Sequence, residues 1–216
     1  MTDQVSINKI TKPLVEELIE NIDQLNLGMT TSSGGAKLID AGISHKGCLE
    51  SGRLITEICM GGLGTVSLSM NNTFENWPLS IDVHSTNPVL SCLASQYAGW
   101  SLSHVKDEEN FNALGSGPCR SLACKEELFK DLGYQDKFFS TVAIMEVDST
   151  PPQEIIDKIV NDCNISEKNL TIILTPTKSL SGCVQIVGRV LEVGMHKLHE
   201  LGFPLDKVVD GFGSAP

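Results

Sequence analysis

Apolar positions recur along this chain with two periods, one near 3.6 and one of 2. The longest helical pattern runs from Ser179 to Leu201, SLSGCVQIVGRVLEVGMHKLHEL. At about 100° per residue, Val184, Val187, Leu191, Gly194, Leu198 and Leu201 share one stripe, which predicts a helix buried along it. Arg189, Glu192, His196 and His199 fall on the other side, close enough along the helix for neighbours to touch. A polar stripe of this kind is either a solvated face or a surface that handles protons. Gly182, Gly188 and Gly194 recur along the same stretch. A glycine inside a helix costs about 1 kcal/mol, so the three predict close approach of another backbone or of a ligand.

The rest of the chain alternates between the two periods. Ile7, Ile10, Leu14, Leu18, Ile22 and Leu25 predict a helix ending near Asn26 to Gly28, with Pro13 in a first turn that begins near Thr11. A turn at Thr31 to Gly35 leads into a strand at Lys37 to Ile43, a helix at Cys48 to Cys59, and strands at Gly64 to Met70 and Leu79 to His84. Asn87 and Pro88 cap a helix expected over Val89 to Ala98. A strand at Trp100 to Val105 and a polar turn at Asp107 to Asn110 come next, and Gly115-Ser-Gly-Pro118 opens a short helix through Ala123. Later come an apolar strand at Val142 to Val147 and a capping box at Thr150-Pro-Pro-Gln153. The helix behind that box buries Ile155, Ile156, Ile159, Val160 and Cys163. Leu170 to Leu174 is a continuous apolar run of the kind buried on both faces.

Strand and helix alternate, so the class is α/β. Asp131 to Ser140 is the expected boundary between a first α/β lobe with an irregular β-rich part, residues 1–135, and a second βαβα lobe, residues 136–216. The chain closes on Gly211 to Pro216, a loop-like ending that reads as a piece of something longer.

Composition narrows the function. The 216 residues are 41% hydrophobic, enough for an ordinary core, with no apolar run near the roughly 20 residues a membrane span needs. The N-terminus lacks the basic and apolar regions of a signal peptide, which points to the cytoplasm. A net charge of −11 argues against nucleic acid and favours a cationic or neutral substrate. Seven scattered cysteines with no C-x-x-C pair read as reduced thiols.

Few motifs carry chemistry. Gly115-Ser116-Gly117-Pro-x-Arg120 offers N–H groups beside a guanidinium at a helix start, either an anion site or a plain turn. No P-loop, dinucleotide fingerprint or nucleophile elbow is present. His196 and His199 stand in the wrong order around Glu200 for a zinc-hydrolase helix, so no metal is expected. Arg189 with Glu192 remains, an acid/base carboxylate beside a fixed positive charge.

Cys59-Met-Gly-Gly-Leu-Gly64, Gly115-Ser-Gly-Pro-x-Arg-Ser-Leu122, Thr175-Pro-Thr-x-Ser179, Val184-Gln-Ile, Arg189-Val-x-Glu192 and Gly194-Met-His-Lys-Leu-His-Glu-x-Gly-Phe203 together closely resemble methenyltetrahydromethanopterin cyclohydrolase, from the N-terminal helix to Pro216. The resemblance implies reversible hydrolysis of the methenyl bridge of a pterin one-carbon carrier to its N5-formyl form, with neither metal nor organic cofactor. It implies a homotrimer of two-lobed, sandwich-like α/β subunits with a substrate cleft between the lobes. Family chains continue past the position matching Pro216, so the C-terminal completion of one lobe is expected to be absent here. The family's essential pair falls on Arg189 and Glu192, with Glu192 as acid/base and Arg189 orienting and ionising it. Gly115, Ser116, Gly117, Arg120, Thr177 and Ser179 are the candidate substrate contacts. The alternative is a pterin-binding or trimer-forming relative without turnover.

Overall fold

A computed structural model of the protein describes residues 4–106 and 109–216. In chain order its elements begin with α1 (Ile7–Glu20), β1 (Gly28–Thr31), β2 (Lys37–Asp40), α2 (Leu49–Cys59), β3 (Thr65–Met70) and β4 (Leu79–Ser85). A π-helix over Val89–Gln96 precedes β5 (Trp100–Lys106), β6 (Glu109–Ser116), α3 (Cys119–Ala123) and α4 (Leu128–Leu132). Then come β7 (Thr141–Met145), α5 (Gln153–Cys163), β8 (Leu170–Leu174), α6 (Leu180–Val187), α7 (Val190–Glu200) and β9 (Gly211–Ala215).

Six strands form the main sheet in the order β1-β2-β8-β7-β6-β5. Its centre, β2-β8-β7, is parallel, and antiparallel strands flank it on both sides. All five residues of β7 and of β8 are buried, as continuous apolar runs require when helices cover both faces. Ala143, Met145, Leu170, Ile172 and Leu174 point to the face covered by α3 and α5, where Leu122, Ile155, Ile156 and Ile159 meet them. Val142, Ile144 and Ile173 point to the opposite face, against Val15 and Leu18 of α1 and Leu54, Ile55 and Ile58 of α2. A smaller antiparallel sheet, β3-β4-β9, buries Val66, Ile81 and Val83 against Cys92 and Leu93 of the π-helix and Leu191 and Met195 of α7.

The α/β class and the central strands agree with the pattern reading; several elements differ. The N-terminal helix starts earlier, capped by the Ser6 side chain at the Lys9 N–H, so Pro13 lies inside it, and it ends at Glu20. The capping box expected at Thr150 to Gln153 does not form: Pro152 occupies the cap position, and the Gln153 amide instead donates to Asp157 and Glu167. The expected turn at Asp107 to Asn110 lies partly outside the described residues, and its last two positions, Glu109 and Asn110, already belong to the strand β6. The expected loop at Gly211 to Pro216 is β9, paired with β4 in the register Val83↔Gly213. The position expected to divide two lobes does not divide the sheets, because β2, β5 and β6 from one side share the main sheet with β7 and β8 from the other.

The largest departure is the long C-terminal helix, which is two helices broken at Gly188 and Arg189, both with ψ near zero (−1° and 2°). Gly182 and Gly188 do meet neighbours closely. A Cβ at Gly182 would stand 2.1 Å from the Pro176 carbonyl oxygen, and one at Gly188 would stand 2.5 Å from Thr56 Cγ2. At Gly194 the same atom would meet nothing within 4 Å, so the predicted close approach fails there.

Candidate functional site

The break after α6 decides where Arg189 and Glu192 go. On an unbroken helix they would lie opposite the apolar stripe; in the fold both are buried, at 8% and 5% exposure. Arg189 Nε lies 3.5 Å from Glu192 Oε2, and its Nη1 lies 3.8 Å from Glu146 Oε1, just past the end of β7. Its Nη2 donates to the Gln96 carbonyl at 2.6 Å, at the C-terminus of the π-helix, where carbonyls lack partners within the helix. The Gln96 side chain returns the contact, donating to the Gly188 carbonyl at 3.1 Å and so holding the break itself.

Burial pushes the Glu192 carboxyl above the usual carboxylate range; Arg189, His196 and Arg120 oppose that push, and Glu146 adds to it. Arg189 acts in the direction of ionising Glu192, and desolvation is the larger opposing effect. A carboxyl raised in this way can both accept and return a proton nearer neutrality.

Two open depressions meet at Glu146, the carboxylate 3.8 Å from Arg189. One of about 300 Å³ is lined by Ala98, Ser101, Asn112, Ala113, Leu114, Ser116 and Glu146. The other, about 440 Å³, shares Asn112 and Glu146 and reaches Thr177 and Lys178. The second lies beyond the carboxyl ends of the parallel strands β7 and β8, the usual ligand position in open α/β sheets, and the first lies against β5 and β6.

The other candidates divide. Ser116 lines the first depression, with its hydroxyl donating to the Ile144 carbonyl at 3.1 Å and lying 3.5 Å from Cys59 Sγ. Thr177 is exposed on the second depression. Ser179 serves the backbone: its hydroxyl caps α6 by accepting from the Gly182 N–H and donates to the Pro176 carbonyl. Gly115 pairs with Met145 and Trp100 inside the sheet, and the Gly117 N–H donates to the Ser95 carbonyl.

Arg120 does not present itself to a ligand. It is fully buried, its Nε and Nη2 hold Glu126 at 2.5–3.1 Å, and its Nη1 donates to the Leu93 and Ser95 carbonyls. Its expected role as an anion contact is corrected to that of a core cross-link. The polar helix face also has structural uses: His196 stacks on Tyr97 at 4.6 Å between centroids, and His199 Nε2 lies 3.0 Å from Asp131. Among the described residues no three His, Cys, Asp or Glu side chains gather as a metal site would need.

Sequence reasoning passed over Glu146, Gln96 and Gln185. Glu146 was signalled by standing directly after an apolar strand, and Gln185 by being the one carboxamide in an otherwise apolar or small-residue helix.

Fold and site together define an α/β protein in which an arginine and a carboxyl raised by burial pack together, next to Glu146, where two open depressions meet. Residues 6–216 match the family described as Cyclohydrolase (MCH). The chain is 57% identical over 211 residues to a methenyltetrahydromethanopterin cyclohydrolase of Methylobacillus flagellatus, covering 98% of this chain and 63% of that protein. It is 46% identical to the same-named protein of Methylobacterium organophilum (98% and 65% covered) and 36% identical to that of Methanosarcina mazei (98% and 65%). The chain belongs to this cyclohydrolase family, and it spans 63 to 65% of the length of those relatives.

Proposed function

We propose that the protein hydrolyses the methenyl bridge of a tetrahydromethanopterin-type carrier, reversibly, to the N5-formyl form. The observation that carries the reading is the buried Arg189–Glu192 pair in a chain 57% identical to a protein of that name. The methenyl carbon of such a carrier is an amidinium-like cation. Attack by water forms a C–O bond at that carbon and passes one proton to Glu192, leaving a neutral carbinol. As the C–N10 bond breaks, Glu192 returns its proton to N10, and the hydroxyl proton leaves to solvent as the formyl C=O forms. One proton is released overall, matching the loss of the cation's charge.

Arg189 supplies position and charge at this step: its guanidinium is anchored by the Gln96 carbonyl and stands between Glu192 and Glu146. Glu146 and the net charge of −11 suit a cationic substrate. Ser116 and Thr177 would contact the carrier from the two depressions. The reading includes a cytoplasmic homotrimer, whose mass by light scattering would be three times 23.3 kDa.

The test follows the ultraviolet absorbance of the methenyl carrier mixed with the protein. Turnover that disappears in Glu192→Gln supports the reading. Carrier binding by calorimetry with no turnover in the folded protein would replace it with the non-catalytic relative.

A further inference from the structure

Four polar atoms at the centre of the molecule have no hydrogen-bond partner among the described residues: Gln96 Oε1, both head atoms of Gln185, and Arg189 Nη1. Gln96 and Gln185 are fully buried, and Arg189 is 8% exposed. Leaving such groups unpaired costs about 1–3 kcal/mol each, and more for a charged donor, so a native fold satisfies them.

These groups belong to one neighbourhood. Burial pushes the Cys59 thiol up, and the Arg189 charge and the Gln185 amide both act to lower it. Cys59 Sγ lies 4.0 Å from the Gln96 carbonyl oxygen, which accepts from Arg189 Nη2 at 2.6 Å. Cys59 Sγ also lies 3.5 Å from Ser116 Oγ, and Ser116 lines the 300 Å³ depression with Glu146. The unpaired set comprises two donors, Gln185 Nε2 and Arg189 Nη1, and two acceptors, Gln96 Oε1 and Gln185 Oε1. A water molecule, which donates twice and accepts twice, complements that set, and buried waters typically make about three such bonds.

We infer that Gln185, Gln96 and Arg189 form a buried hydration socket beside the Arg189–Glu192 pair, and that Gln185 is a positioning residue acting through the water it holds. That water braces Arg189 Nη1, the end of the guanidinium facing Glu146, while the Gln96 carbonyl braces Nη2. The guanidinium is then fixed from two sides, and its Nε stays directed at Glu192. The effect on turnover rests on the proposed hydrolase activity; the socket itself does not.

The test is a high-resolution crystal structure of the protein and of Gln185→Met, similar in size but without amide atoms, with steady-state kinetics on both. Expected is an ordered water within hydrogen-bond distance of Gln185 and Arg189 Nη1. In Gln185→Met it should be lost, with kcat lowered roughly 10–100-fold, as a small misplacement of a catalytic group causes, and KM changed less than about twofold. Gln185→Glu, which keeps an acceptor of the same reach, should retain the water and more of kcat than Met does. Density showing a dry socket in the unsubstituted protein overturns the inference even if Gln185→Met does not fold. An unchanged kcat in folded Gln185→Met overturns the positioning role. Protein without turnover but with the ordered water would overturn the hydrolase reading and leave the socket standing.

Discussion

Replacing Arg120 by alanine should damage the fold rather than substrate binding. The side chain has no exposed surface, and its guanidinium makes five hydrogen bonds at 2.5–3.1 Å, three to Glu126 and two to the carbonyls of Leu93 and Ser95. It also lies 5.1 Å from the Tyr97 ring centroid and 5.3 Å from that of Phe129. Truncation strands the Glu126 carboxylate, only 12% exposed, and removes the donor from the Leu93 carbonyl, whereas Ser95 keeps the Gly117 N–H. Breaking one side of a buried ion pair costs about 3–5 kcal/mol. That is a large part of the 5–15 kcal/mol that typically holds a domain together. For a chain of this size the loss lowers Tm by roughly 6–20 °C.

Urea and thermal unfolding followed by circular dichroism would measure it. The double substitution Arg120→Met with Glu126→Leu should recover much of the loss, because it removes both charges instead of stranding one. If Arg120→Ala stays within about 0.5 kcal/mol of the parent, the range of ordinary surface substitutions, and raises KM alone, the cross-link reasoning is wrong and the anion contact stands.

Glu192→Gln should lower turnover by about 10²- to 10⁴-fold with KM little changed, measured by the absorbance assay. Because burial raises the Glu192 carboxyl in the fold, its contribution to stability is present below 4.5 and is lost as pH rises through the raised value. Urea midpoints across that window should fall with pH in the parent and lose this component in Glu192→Gln; parallel curves would contradict the raised carboxyl. Arg189→Lys keeps the charge but cannot reach Gln96, Glu146 and Glu192 with one planar fork, so it should remain at least tenfold impaired in kcat. Recovery to parental kcat would reduce Arg189 to a diffuse charge. Gly182→Ala should cost more stability than Gly194→Ala, because the new methyl meets the Pro176 carbonyl oxygen at 2.1 Å in the first and nothing within 4 Å in the second. Equal melting temperatures would show that α6 can shift away from that loop.

The elements legible in the sequence are those where one force dominates. β7 and β8 are apolar throughout and α5 has a strong apolar face, so burial alone specifies them. β9 reads as a loop because Gly-Phe-Gly-Ser-Ala has poor intrinsic strand preference, and only its pairing with Ile81 to Ser85 makes it a strand. β6 shows a regular alternation at Phe111, Ala113 and Gly115, yet Asn110, Asn112 and the Gly-Ser-Gly at its end read as turn residues. Arg120 stood at a helix start beside glycines, a pattern shared by anion sites and plain turns. The deciding partner, Glu126, lies beyond the left-handed Cys124 that ends α3, and spacing alone does not bring the two together.

The Arg189–Glu192 pair was legible as a pair, but its burial was not, because periodicity assumes one unbroken axis. Two residues with ψ near zero at Gly188 and Arg189 end that axis, and α7 starts on a new one. Leu191 of the apolar stripe and Glu192 of the polar one are then buried side by side, while Leu201 at the end of the apolar stripe is exposed. The contacts that hold the break lie far off in sequence: the Gln96 side chain bonds the Gly188 carbonyl, and the Gln96 carbonyl takes the Arg189 guanidinium. That carbonyl is free to do so because it ends the π-helix, whose C-terminus carries partial negative charge suited to a cation. Such local departures from regular helix recur at functional sites, and here the same two bonds fix the backbone break and aim the guanidinium at Glu192.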